Sequence, residues 1–361
     1  MLRMDEIAGV LERFAIDGKL VSAESIGSGH IHDTLHVVFH VGELESGYIL
    51  QHINRAIFPD VPTLMRNIQR VTEHLAKELA EHADADRRAL SLIPTRDGQV
   101  WCKDGGEYWR CFRAITHTRT FDAVQSVEQA FQAAKAFGNF QRLLSTLPPE
   151  SLIETIPGFH HTPSRFEALR EAIASDAAGR LNACRSEIEF ALAHEPLGHV
   201  LVDANLPLRI THNDTKLNNV LFDEASGEGI CIIDLDTVMP GLVSYDFGDM
   251  VRTTACAAAE DERDLSLVWM NFELFEALLR GFLESMGSTL THAEKMSLAK
   301  AGQLITFEQG IRFLADYLRG DTYYKVHRAD QNLDRCRTQF RLLVSMEEQS
   351  EAIDSLVRKL V

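Results

Sequence analysis

No Cys-x-x-Cys pair occurs anywhere in this 361-residue chain. Its six cysteines, at 102, 111, 184, 231, 256 and 336, are scattered, and several lie inside apolar runs. That pattern argues against a paired-cysteine metal or redox site and fits free, buried thiols in a reducing cytosol. Positive charge is also scarce. There are 36 Lys and Arg against 53 Asp and Glu, a net charge of -17 and a pI near 5.3. With no basic stripe to meet phosphates along a strand, a nucleic-acid partner is excluded. The N-terminus has no hydrophobic signal core, and no apolar run approaches membrane-spanning length. No repeat or low-complexity tract appears. What remains is a cytoplasmic protein of ordinary globular composition, long enough for about two domains.

The pattern along the chain divides in two. Ile7, Val10, Leu11 and Phe14 recur at helical spacing. Residues 21–26, 35–41 and 48–53 read as strands, with the turn between the last two at 42–47. Pro59 and Pro62 precede a long helical pattern through Leu64, Ile68, Val71, Leu75 and Leu79. Residues 90–94, 99–103 and 108–115 return to strand character, with Asp97-Gly98 and Asp104-Gly105-Gly106 as turns. This predicts a small sheet with one inserted helix. Helices dominate from about residue 116, at 127–147, 163–177, 185–192, 265–283, 291–318 and 331–360. The expectation is an α+β chain of two lobes, 1–115 a small antiparallel-sheet N-lobe and 116–361 a larger, mostly helical C-lobe.

The stretch Thr211-His212-Asn213-Asp214-Thr215-Lys216-Leu217-Asn218-Asn219 interrupts the helices. A strand-like run at 206–210 precedes it, and another at 229–233 leads into Asp234-Leu235-Asp236. A polar hairpin rich in turn formers would explain the Asn and Asp residues. It would not explain the flanking strands and the second Asp motif together. A carboxylate, an Asn five residues on and a second Asp after a hairpin are the working set of a kinase-like phosphotransferase. Asp214 is the candidate base for the attacking hydroxyl. Asn219 and Asp234 are the candidate Mg²⁺ ligands, offering the hard oxygens this ion prefers, and Asp236 either joins them as a ligand or holds Asp234 in place. The acidic surface gives ATP no long-range attraction, so phosphate binding must rest on local groups and metal.

These residues resemble the aminoglycoside phosphotransferase and choline kinase superfamily, and more closely the N-acetylhexosamine 1-kinases. The matching blocks are Gly29-His30-Ile31, Tyr48-Ile49-Leu50-Gln51, Phe58-Pro59-Asp60 and Leu64-Met65-Arg66-Asn67. They continue with 211–219, Ile232-Ile233-Asp234-Leu235-Asp236-Thr237, Met239-Pro240-Gly241, Asp246-Phe247-Gly248-Asp249 and Arg312-Phe313-Leu314-Ala315-Asp316-Tyr317-Leu318. The resemblance spans both lobes and implies a bilobal protein-kinase-like fold. It implies transfer of phosphate from ATP, with Mg²⁺, to the anomeric C1 hydroxyl of N-acetylglucosamine or N-acetylgalactosamine. It also implies substrate contacts from His30, Asp214, Arg312 and Tyr323.

Each assignment has an ordinary alternative. Arg312 lies four residues from both Glu308 and Asp316, so an ion-pair row on a helix is also possible. Tyr323 competes with Tyr324. The loop Gly27-Ser28-Gly29 can offer backbone N–H groups to phosphates, though any tight turn needs such glycines. His32, His36 and His40 complete no tetrahedral metal set with His30, and His194 and His199 flank a helix-breaking Pro. The strand where a kinase carries its phosphate-binding Lys reads Tyr48-Ile49-Leu50-Gln51. No Lys–Glu pair with Glu73 or Glu78 can form there, although Gln51 can still hydrogen-bond a phosphate. Arg66, Arg70 and Mg²⁺ are the candidates for the missing charge. The adenine is expected against Cys111-Phe112-Arg113. Other small hydroxyl acceptors (glucosamine, another hexose, an amino alcohol) and a silent nucleotide-binding module are the competing readings.

Overall fold

Alternation of buried and exposed residues builds the N-terminal sheet. The structure, a computed structural model, describes residues 4–26 and 32–361. Strands β1 (Lys19–Ser25), β2 (Asp33–Val41), β3 (Leu44–His52), β4 (Cys102–Asp104) and β5 (Glu107–Arg113) pair antiparallel in the order β1-β2-β3-β5-β4. Val37, Phe39, Tyr48, Leu50, Trp109 and Cys111 share one face, covered by α1 (Met4–Leu11) through Ile7, Val10 and Leu11. The two-residue period sends the intervening side chains, among them Gln51 and Arg110, to the other face. Those two are cross-strand partners. The β2–β3 turn is shorter than expected. Val41 already pairs with Leu44, and Gly42 supplies the positive φ of 65° that so tight a turn needs.

The run at 90–94, expected as a strand, makes only the Leu92–Phe112 bridge. Its backbone still binds β5, with Ile93 N–H donating to the Cys111 carbonyl and Arg113 N–H to that of Ser91. Because β4 pairs only with residues 107–109 of β5, this segment takes the far half. Helix α2 (Val61–Glu78) begins where Asp60 accepts the Thr63 N–H, with Pro62 in its first turn. Its apolar stripe joins the main core. A one-turn helix, α3 (Ala85–Arg88), follows.

The C-terminal part is helical, with short strands around residues 209–241. Its elements are β6 (Thr118–Arg119), α4 (Val127–Leu144), α5 (Thr162–Ser175), α6 (Arg185–Ala193), β7 (Arg209–Thr211), β8 (Val220–Asp223), β9 (Gly229–Ile232) and β10 (Met239–Gly241). Then come α7 (Val243–Thr254), α8 (Phe272–Met286), α9 (His292–Arg319), α10 (Gln331–Glu348) and α11 (Ser350–Leu360). Strand β7 pairs with β10, and β8 lies between β6 and β9. Three expectations need correction. Residues 265–283 are not one helix, because Asn271 accepts the N–H groups of Glu273 and Leu274 and starts α8 afresh. Residues 331–360 break at Gln349, whose amide donates to the carbonyls of Met270 and Ser345. Helix α7, not expected as a helix, lies in the core and carries Asp246 to Asp249.

All six cysteines are free, and five are buried, Cys256 being partly exposed. Burial pushes the thiols of Cys102 and Cys184 up to about 11 and Cys231 to about 12. Among the described residues no helix is long and apolar enough to cross a membrane.

Candidate active site

Asp214 stands on a loop whose backbone is held from below. Asp246, in the first turn of α7, is fully buried. Its Oδ2 accepts the His212 N–H at 2.8 Å and its Oδ1 the Asn213 N–H at 2.7 Å. Gln141 Nε2 donates to the same carboxylate at 2.5 Å. One turn on, Asp249 accepts the Thr215 N–H at 2.8 Å and pairs with Arg252. A second set of bonds joins the loop to the turn after β9. His212 Nε2 donates to the Ile233 carbonyl at 2.9 Å, while its Nδ1 accepts the Asp214 N–H at 3.3 Å, which fixes the tautomer. Thr237 Oγ1 donates to the His212 carbonyl, and Asn213 Nδ2 to the Thr237 carbonyl. Asn213 itself is left-handed, φ 65°, a conformation Asn tolerates better than most residues.

On this base Asp214 meets two side chains. Lys216 Nζ lies 2.8 Å from its Oδ1. Asn219 Nδ2 donates to the Asp214 carbonyl at 2.9 Å. Burial works against ionisation of Asp214, but Lys216 outweighs it and holds the carboxyl below its ordinary value. Because the Lys216 side chain is 45 % exposed, solvent weakens that hold. Asp234 has the opposite character. Burial, and then the carboxylates of Asp236 and Asp214, push it well above the usual range. Its backbone is left-handed at φ 61°, ψ 61°.

Among the described residues no cluster of three or more His, Cys, Asp or Glu forms a ready-made metal cage. Mg²⁺ does not require one, since it is usually held by one or two carboxylates together with phosphates and water. The donor set fits it. Asn219 commits its Nδ2 to Asp214 and keeps a side-chain carbonyl oxygen. Asp234 is a crowded carboxylate that a cation would relieve.

Asp236, expected beside them as a ligand, is differently engaged. Arg110 Nη1 and Nη2 donate to its two oxygens at 2.5 and 2.6 Å, and His32 Nε2 approaches Oδ2 at 3.2 Å. Burial opposes its ionisation, yet the Arg110 guanidinium holds it far below the usual range. Gln51 is engaged at both ends of its amide. It accepts from Arg110 Nε at 2.9 Å and donates to Thr34 Oγ1 at 3.1 Å. The backbone groups of Cys111 and Arg113 expected to read adenine already bind the 91–93 segment, and the Cys111 thiol faces the α1 core. Of the other candidate cations, Arg66 and Arg70 are exposed, and Arg70 donates to the Ser151 carbonyl. Gly27, Ser28, Gly29 and His30 lie outside the described residues.

A third group surrounds Arg312. Only half of the ion-pair row forms. Arg312 Nη1 lies 4.0 Å from Glu308 Oε1, whereas Asp316 accepts the N–H groups of Thr322, Tyr323 and Tyr324. The Arg312 guanidinium sits 5.2 Å from the Phe159 ring centre and 5.8 Å from that of Tyr324. Tyr323 is 59 % exposed, whereas Tyr324 is half-buried and bonded to Gln309. Buried Glu308 accepts from His160 Nδ1 and Thr162 Oγ1, both at 2.7 Å. His160 Nε2 in turn meets the Asn213 carbonyl at 3.1 Å. A chain of contacts thus runs from the Arg312 region to the residue before Asp214.

Reading the sequence for chemistry missed Arg110, His160, Glu308, Asp246 and Asp249 as site residues. The block Asp246-Phe247-Gly248-Asp249 carried a signal, since two carboxylates one helical turn apart in an apolar stretch must find donors.

A family model described as the phosphotransferase enzyme family matches residues 23–272, more than two thirds of the chain. Several solved structures are similar. The aminoglycoside phosphotransferase of Alicyclobacillus acidocaldarius subsp. acidocaldarius DSM 446 has 14 % identity and a TM-score of 0.63, covering 98 % of this chain and 95 % of that one. Spectinomycin phosphotransferase, in complex with ADP and spectinomycin, has 14 % identity and a TM-score of 0.63, covering 97 % and 99 %. Choline kinase of Cryptosporidium parvum Iowa II has 14 % identity and a TM-score of 0.55, covering 98 % of each chain. At such identities the likeness is one of fold, a small antiparallel sheet joined to a larger helical part in the protein-kinase-like arrangement.

Proposed function

Since the chain belongs to the phosphotransferase enzyme family, we propose that it is an ATP- and Mg²⁺-dependent kinase of N-acetylhexosamines. It converts the anomeric C1 hydroxyl of N-acetylglucosamine or N-acetylgalactosamine to the sugar 1-phosphate. The observation that carries the phosphotransfer reading is Asp214. It is an ionised carboxylate on a loop braced by Asp246, with Asn219 bonded to it and Asp234 close enough to raise its own pKa through it. The sugar assignment rests on the sequence blocks that resemble the hexosamine 1-kinases. ADP in the spectinomycin phosphotransferase structure supports nucleotide use.

Phosphoryl transfer needs the hydroxyl aimed in line at the γ-phosphorus and charge neutralised on the phosphate oxygens. Asp214 accepts the hydrogen bond of the C1 hydroxyl and so aims its oxygen. As the new P–O bond forms and the bond to the ADP oxygen breaks, the hydroxyl proton passes to Asp214. A carboxylate of lowered pKa is a weak base, which suits a proton that moves late in a loose transition state. Asn219 and Asp234 would hold Mg²⁺, which supplies charge neutralisation at the phosphates. Arg312, steadied between two aromatic rings, would orient sugar hydroxyls by its planar fork of donors. His30 and Tyr323 are proposed to join it. Gly27, Ser28 and Gly29 are proposed to cover the phosphates. We place the division between the nucleotide-binding and acceptor-binding parts at residue 115.

The test is ATP·Mg²⁺ with a panel of free sugars and amino alcohols, ³¹P NMR of the product, and Asp214→Asn as control. We expect a sugar 1-phosphate from an N-acetylhexosamine. Asp214→Asn should turn over about a hundredfold or more slower, the usual scale of a lost proton acceptor, with nucleotide binding retained. Phosphate on an amino alcohol or at another sugar position would keep the kinase and overturn the acceptor.

A further inference from the structure

The sequence leaves this site short of a cation where a kinase sheet carries lysine, and the structure puts one on the adjacent strand. Arg110 lies opposite Gln51 in the β3–β5 ladder, on the sheet face turned toward the 234–236 turn. It is 1 % exposed. Nε donates to Gln51 Oε1, and the two Nη atoms take one oxygen each of Asp236. This parallel pair of charge-assisted bonds fixes orientation as well as distance. His32 adds a third donor. Its Nδ1 accepts the Asn54 N–H at 3.1 Å, so Nε2 carries the proton that points at Asp236 Oδ2. Thr155 Oγ1 donates to the Asp236 carbonyl.

Asp236 is therefore held by N–H groups from two segments of the sheet lobe, beside a full positive charge. That charge repels a dication. Asp234, two residues earlier, has no ion-pair partner among the described residues. It opens the same single turn, Leu235–Thr237, that Asp236 lies in. Its left-handed backbone is a conformation that persists only where surroundings over-determine it. The bonds from Arg110 to Asp236 are among those surroundings, with those from His212 to the Ile233 carbonyl and from Thr155 to the Asp236 carbonyl.

We propose that Arg110 and Asp236 form a clamp between the sheet and the catalytic hairpin that sets the position of Asp234. Arg110 is then a positioning residue, and Asp236 is its anchor and not a metal ligand. The clamp rests on the phosphotransfer reading above for its purpose but not for its existence. It gives the sheet a cation aimed at the 234–236 turn and not at the phosphates. The charge is kept, one strand over, and is spent on holding the metal-binding turn.

The test uses Arg110→Met, Arg110→Lys, Asp236→Asn and the double variant Arg110→Met/Asp236→Leu in the full chain. The double variant guards against loss of folding, since an apolar pair commonly replaces a buried ion pair without loss of stability. Amide hydrogen exchange over 233–238, the Mg²⁺ dependence of nucleotide binding, and turnover are measured on each. We expect Arg110→Met and the double variant to lose exchange protection over 233–238 and to turn over about a hundredfold slower, the scale of an angstrom-sized misplacement. Arg110→Lys should recover part of both. Binding of nucleotide without Mg²⁺ should stay close to wild type. Two results would overturn the clamp. One is unchanged exchange over 233–238 in the double variant. The other is a large rise in the Mg²⁺ required in Asp236→Asn with none in Arg110→Met, which would make Asp236 a ligand. A wild type that transfers phosphate to no acceptor would sink the proposed function, while the exchange result would still judge the clamp.

Discussion

Arg312 is tied to protein by its Gln309 bond, by the Glu308 carboxylate at 4.0 Å and by two aromatic faces, an arrangement that fixes the guanidinium. A hydrogen bond to a charged group contributes about 1.5–3 kcal/mol, so Arg312→Ala should lower acceptor kcat/KM roughly ten- to a hundredfold. Steady-state kinetics should show the ATP KM unchanged. An equal rise in the ATP KM would mean that the side chain supports the fold instead. The neighbouring His160–Glu308 pair makes a pH prediction. Burial disfavours both charges, but each partner outweighs it, raising His160 and lowering Glu308. The Glu308 contribution to stability is complete above its ordinary 4.5 and is lost as pH falls through its lowered folded value. The His160 contribution is complete below its ordinary 6.5 and is lost as pH rises through its raised folded value. The pair thus stabilises most in mildly acidic solution. The Tm gap between wild type and His160→Gln should narrow as the pH is raised above neutrality, and a widening gap would refute the ion pair. Asp214, Asn219 and Asp234 stood out in the sequence as candidates because they lie at short spacing. His160, Glu308 and Arg110 were not, because their partners lie 148 or 126 residues away and no local pattern announces them.

Elements were legible where apolar residues mark the buried face and opaque where polar residues are buried with them. Helix α2 shows a clean stripe and was read with nearly its true limits. Helix α7 is short and buries Ser244, Asp246, Asp249, Arg252 and Thr254 along with its apolar residues, so polarity there does not mark an exposed face. The segment at 90–94 has the composition of a strand. Whether it becomes one depends on how far β4 runs along β5, which is a tertiary matter. The crossing of α4 and α8 depends on two small residues, Gly138 on one helix and Gly281 on the other, of which Gly281 is the tighter. A Cβ at Gly281 would lie 2.2 Å from the Phe131 carbonyl oxygen, and the adjoining α4 backbone cannot give way cheaply. Gly281→Ala should therefore cost about 1–3 kcal/mol, the usual range for overpacking. Chemical denaturation should show it as a lowered midpoint with the same slope. An unchanged midpoint would mean that the two helices slide apart at no cost.

Across the whole molecule the two lobes are joined at several places besides the chain itself. Arg110 reaches Asp236. Arg87 reaches Asp223 and the carbonyls of Thr116 and His117. Arg88 meets both oxygens of Glu228, and Asn67 exchanges two hydrogen bonds with Ile153. The kinase-like layout was legible from the order of strands, helix and helices. These cross-ties were not, since each joins residues that look unremarkable in their own segments. The same packing has a practical side. Five of the six thiols are sealed in cores that suppress the reactive thiolate, and only Cys256, just past the end of α7, keeps contact with solvent. A maleimide dye added to the native protein should attach once, and peptide mass mapping should find it at residue 256. Fast labelling at a second position would show that a core opens. The unaltered chain thus carries its own attachment point for a fluorophore, next to the helix that anchors the Asp214 loop, and binding of the proposed nucleotide and acceptor should be visible as a change in its light without engineering the protein.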